Sequence, residues 1–172
     1  FAPELCVFHP QRDYPLPEDV PLTRIPKPGP PGLLPAIWRL ARLVDRRRPD
    51  VVVSIGDWAD MASICVHSSK PSLEGQRYKP DCVSAVEAQQ LMFDRITDPQ
   101  EIDWHMTLGN HDARIDMLAA QNPVLEGVIS MNDLRFEEFG WTVHPFKKNV
   151  NIQGFNFQHF FPTGMSGRPI SG

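Results

Sequence analysis

Val51-Val52-Val53-Ser54-Ile55-Gly56-Asp57-Trp58-Ala59-Asp60 is the stretch on which the fold turns. Its first half is β-branched and apolar on both faces, the pattern of a strand buried in a parallel sheet. About fifty residues on, Ile102-Asp103-Trp104-His105-Met106-Thr107-Leu108 alternates apolar residues and again runs into a glycine, opening Gly109-Asn110-His111-Asp112. Both runs end in loops rich in oxygen ligands, and strand ends are where open α/β sheets assemble their sites.

Upstream, Leu33, Leu34, Ile37, Leu40, Ala41 and Val44 share one face at three- and four-residue spacing, which predicts a helix over 33–47. Pro35 is tolerated in a first turn, and Pro49 stops the helix. Arg46-Arg47-Arg48 sits where positive charge complements the helix dipole. That run reads as a solvated helix end, with phosphate binding as the alternative. Residues 4–8 read as a short strand. Residues 10–32 carry eight prolines and suit neither a helix nor a central strand, so a partly polyproline-like surface excursion is expected.

Downstream, 68–81 is polar and turn-rich. Helices are expected over 84–96 and 111–120, with a weaker helical piece at 123–129. Residues 141–146 and 150–161 read as two strands of a hairpin, turning at Lys147-Lys148-Asn149. A βαβ alternation closed by a hairpin predicts an α/β fold, and 172 residues suit one domain with a full core.

Hydrophobic content of 41% and charged content of 22% are ordinary for a globular chain. A net charge of −4 argues against a generic polyanion binder, although bound cations would change the local field. Cys6, Cys65 and Cys82 are too few and scattered for a disulfide framework, which points to a reducing, cytoplasmic setting. No apolar run has the length of a membrane span, and no signal peptide is visible. The chain begins at Phe1 and stops at Gly172 without a capping pattern, so a longer parent protein is expected.

Hydrolysing a phosphate ester at neutral pH needs a nucleophilic hydroxide and neutralised phosphoryl charge. Two divalent cations about 3.5–4 Å apart, bridged by a carboxylate, supply both. Asp57 is the candidate bridge, and Gly56 lets the backbone turn sharply ahead of it. Each piece has a plainer reading too: an aspartate after a glycine also serves as a turn residue or cap, and Gly109–Asp112 alone could be a simple turn.

In this order, each after its own strand, the two loops resemble the second and third signatures of the calcineurin-like metallophosphoesterases. The family's Gly-Asp-x-x-Asp is matched at Gly56, Asp57 and Asp60, and its Gly-Asn-His-Asp/Glu at Gly109, Asn110, His111 and Asp112. The resemblance implies that Asp57 bridges two metals and that Asn110 binds one through its amide oxygen. It places His111 beside the leaving-group oxygen as proton donor or electrostatic stabiliser, oriented by Asp112. Asp60 is read as orienting a ligand or the loop. His159, in Phe157-Gln158-His159-Phe160, matches the family's histidine ligand after a late strand. Taken alone, a histidine on an aromatic strand is more often a hydrogen-bonded core residue. Arg114 could reach a phosphate or form a surface salt bridge, and His67, His105 and His144 fall in no matching motif.

Two signatures depart from the pattern. The first, Asp-x-His, falls on Val7-Phe8-His9, which keeps the histidine and lacks the aspartate; Asp13 lies close enough to substitute. The last, Gly-His-x-His, has no counterpart before Gly172. The implied metal set is therefore His9, Asp57, Asn110 and His159. The segments 57–61 and 72–78 look similar to phage and prophage members.

The resemblance, over about residues 4–172, implies an αββα sandwich: two mixed β-sheets flanked by helices, in one domain that lacks its C-terminal end. It implies hydrolysis of phosphomonoesters or phosphodiesters through two divalent metal ions and a metal-activated hydroxide. Manganese (Mn2+) is the first choice, with iron, zinc (Zn2+) or magnesium (Mg2+) as alternatives. The expected substrate is a phosphorylated small molecule, a nucleotide or a nucleic acid, with no membrane partner and the oligomeric state left open. The alternative is a catalytically degenerate member that binds a partner or nucleic acid, favoured by the missing aspartate. An unrelated α/β domain with chance motifs is the third reading.

Overall fold

The two glycine-terminated runs lie side by side. In the computed structural model, which describes residues 4–7, 21–25 and 33–160, the chain is α/β. It divides into two compact units, Phe1–Arg48 with Gln90–Pro99, and Pro49–Gln89 with Gln100–Gly172.

The first unit pairs β1 (Leu5–Val7) in parallel with β2 (Leu22–Arg24), Leu5 opposite Leu22. β2 was not foreseen, because it is three residues long between Pro21 and Pro26. The rest of the proline-rich span, 10–20 and 26–32, lies outside the described residues. α1 (Leu33–Arg47) runs where the periodicity places it, burying Ala36, Ile37, Ala41 and Val44. Leu34, expected on that face, is 59% exposed in the first turn. The helix ends in Arg48 at φ +47°, a left-handed closure. The three terminal arginines are exposed, as expected of a solvated helix end, and two of them also take partners. Arg47 pairs with Glu4 at 3.0 Å, and Arg48 donates to the Thr97 carbonyl at 3.0 Å.

The second unit is built on a three-stranded parallel sheet in the order β3 (Val51–Ser54), β4 (Asp103–Thr107), β5 (Trp141–His144). β4, in the middle, buries Trp104, Met106 and Thr107, whereas β3 is only half-buried along its length. Register sets Trp104 opposite Trp141, and their rings meet edge to face with centroids 5.0 Å apart. Parallel neighbours require crossovers. α2 (Tyr78–Phe93) lies in the first, and α3 (Arg114–Gln121) with several 3-10 turns in the second. α2 starts earlier than expected because Pro80 falls in its first turn, where a missing N–H costs nothing. α3 starts later than expected because 110–113 form a turn.

The hairpin is not the expected one. Residues 141–144 join the parallel sheet as β5, and 150–157 fold back on themselves as β6 (Val150–Ile152) and β7 (Phe155–Phe157). The turn is Gln153-Gly154, with φ of +50° and +89°. Two successive positive φ values match the twist of paired strands, and this decides the register. Among the described residues no helix is long and apolar enough to cross a membrane.

Candidate active site

At the C-terminal ends of β3 and β4 the two loops nearly touch. A Cβ on Gly56 would stand 2.4 Å from the Gly109 nitrogen and 2.7 Å from the Thr107 carbonyl. A Cβ on Gly109 would stand 2.1 Å from the Asp57 carboxylate. Only hydrogen fits at either place, and Gly56 also has φ +77°.

Asp112 staples the two loops. Fully buried, it accepts the backbone N–H of Asp57 at 2.8 Å, of Ala59 at 2.9 Å and of Gly109 at 2.9 Å. Burial pushes its carboxyl above the usual range, and the three amide donors oppose that push. Its position was expected to orient the His111 ring. Instead its oxygens serve backbone amides, which a buried carboxylate requires, and the ring contact falls to Asp60. The Nδ1 of His111 lies 2.6 Å from Asp60 Oδ1.

Asp57 itself is held at φ +54° by this crossing. One carboxylate oxygen accepts the His111 N–H at 2.9 Å. The other lies 3.5 Å from His159 Nε2, which is 3.1 Å from Asn110 Oδ1. The opposite nitrogen of that ring, Nδ1, donates to the Ile55 carbonyl at 2.6 Å. Nε2 is therefore the nitrogen turned toward Asn110 and Asp57. A carboxylate oxygen, an amide oxygen and an imidazole nitrogen converge here, donor types that a divalent cation accepts.

Asp57, Asn110, His111, Asp112 and His159 are thus gathered in one place, while His9 and Asp13 lie outside the described residues. Among the described residues no three His, Cys, Asp or Glu side chains form a metal-binding group; the converging set has two such residues and an asparagine. The site is open, with the His111 side chain 32% and the Asp57 side chain 33% exposed. Arg114 donates to the Asp60 carbonyl at 2.6 Å and lies 3.8 Å from the Asp60 carboxylate, so it braces the loop carrying Asp57.

One cluster had no signal in the sequence. His105 Nδ1 lies 3.0 Å from His144 Nε2, and His105 Nε2 lies 3.0 Å from Asp103 Oδ2. Pairing His144 with Thr107 sets it diagonally from His105, a relationship visible only once the register is known. Burial and the neighbouring His105 hold His144 below the usual histidine range. No family model, no curated protein and no solved structure matches this chain.

Proposed function

We propose that the chain is a metal-dependent phosphoesterase of the calcineurin-like type. The observation that carries the reading is the convergence of Asp57 Oδ2, Asn110 Oδ1 and His159 Nε2, with the far side of the His159 ring fixed by the Ile55 carbonyl. These residues fit one divalent ion, manganese being the first candidate. Such an ion, when bound, supplies charge neutralisation at phosphoryl oxygens and acidifies water. A second ion would share Asp57 and draw on His9.

The chain's own residues do the rest. Asp112 fixes both loops, so that Asp57 and Asn110 face the same point. With Nδ1 of His111 taken by Asp60, Nε2 is the nitrogen left to give a proton at a leaving oxygen. The sandwich fold belongs to the same proposal; the parallel sheet and the antiparallel hairpin support it, both lying in the unit that carries the site. Substrates are phosphate mono- or diesters, including nucleotides and nucleic acid.

The test is hydrolysis of bis(p-nitrophenyl) phosphate in Mn2+, Mg2+ and Zn2+, beside Asp57→Asn. Metal-dependent turnover lost in the variant supports the enzyme. Absent turnover with every metal favours the second reading, a degenerate member that binds a partner. Val7 standing where the family has an aspartate, and the lack of a three-residue His/Cys/Asp/Glu group among the described residues, are the observations behind that alternative.

A further inference from the structure

A net charge of −4 conceals a basic surface. Residues 33–48 hold five arginines and one aspartate, a local charge of +4. α1 and β2 flank an open groove of about 230 Å³ lined by Arg24, Trp38, Arg39, Arg42 and Arg46 together with the buried Ile25. Among the described residues no carboxylate lies within salt-bridge distance of these four arginines. By contrast, Arg47 and Arg48, on the same helix end, are both paired. Trp38 remains 40% exposed, a large aromatic left in contact with water. The Arg42 guanidinium lies over its ring, 4.7 Å from the centroid.

We propose that this groove binds single-stranded nucleic acid, its phosphates on the arginines and a base on Trp38. Charge complementarity selects a polyanion: four guanidiniums around one concavity, with no carboxylate partner among the described residues, repel one another and draw anions. Arg39, Arg42 and Arg46 fall at i, i+3 and i+7, a row along one helix face of about 10.5 Å at about 1.5 Å per residue, long enough to meet successive phosphates of one backbone. The tryptophan selects an unpaired strand, because a base inside a duplex has no face to offer an indole, whereas stacking on aromatics among basic residues is how single strands are held. An acidic peptide would satisfy the arginines but bring no base to stack on the exposed part of the Trp38 ring. The inference concerns a surface within the first unit and does not rest on the phosphoesterase reading.

The experiment is fluorescence anisotropy of a labelled mixed-sequence 12-nucleotide single strand with the full chain. EDTA keeps the phosphoesterase question out of the measurement. Binding should weaken with salt, log K against log salt having a slope of about −2 to −3, at about −0.7 per phosphate contact. Arg39→Gln and Arg46→Gln, both at exposed positions, should each flatten that slope by about 0.7. Trp38→Ala should weaken binding about tenfold, while Trp38→Phe keeps most of it. Binding that is insensitive to the arginine substitutions would overturn the proposal. So would tighter binding of the matching duplex, or polyglutamate competing as well as the strand at equal charge.

Discussion

The Nδ1 of His111 lies 2.6 Å from Asp60 Oδ1, so the imidazole is held by a residue of the other loop rather than by its chain neighbour Asp112. The two loops therefore divide their labour. Asp112 fixes the backbone crossing, and Asp60 fixes the ring that faces the open site.

If His111 gives a proton to a leaving oxygen, His111→Ala should lower kcat by about 10²–10⁴. Asp60→Asn should lower it by about tenfold with KM little changed, since ring orientation is lost while the other groups stay. Steady-state kinetics on a phosphodiester separates the two. Equal KM increases without a kcat loss would speak for a binding role instead.

Asp112→Ala strips two buried amides, of Ala59 and Gly109, and the part-buried amide of Asp57 of their acceptor. At about 1–3 kcal/mol for each unsatisfied buried group, with partial relaxation, the loss should be about 3 kcal/mol or more by urea unfolding. Asp112→Asn, which keeps an acceptor oxygen, should cost less.

His144 titrates in a predictable direction. Burial, then His105, lowers its folded pKa below the ordinary 6.5. The unfolded chain then takes up the proton first as pH falls, so stability is full above about pH 6.5 and declines as pH drops towards the folded value. His144→Asn should flatten that decline when unfolding is followed between about pH 7.5 and 5.5. An unchanged pH slope would place the acid sensitivity elsewhere.

At the hairpin turn, Gln153 sits at φ +50°, which costs most L-residues about 1–2 kcal/mol and asparagine less. Gln153→Asn should stabilise by up to about 1 kcal/mol, whereas Gly154→Ala, at φ +89°, should destabilise by about 1 kcal/mol. Thermal unfolding of the two variants reads both signs.

That turn also marks where sequence reading stopped short. β3, β4 and α1 were legible because apolar runs and helical spacing are local signals, and the glycine-led loops stood at their ends. Gln153-Gly154 lacks the usual Asn or Asp, so the Lys147–Asn149 segment drew the turn instead, and β5 was assigned to the wrong partner. Asp57, Asn110 and His159 converge as their order along the chain suggested. The bond from His111 to Asp60, the support of His159 by a main-chain carbonyl and the His105–His144 pair are tertiary contacts with no spacing rule behind them. The arginine groove was hidden for another reason: a chain-wide charge average says nothing about where the positive residues gather.

The most direct test of the site is calorimetric titration of Mn2+ into the metal-free chain, alongside His159→Ala. Asp57, Asn110 and His159 as cation ligands predict saturable binding in the parent chain that is lost in the variant, with a rise in melting temperature that follows occupancy. The same binding in both proteins, or none in the parent chain, would contradict a cation held at that convergence.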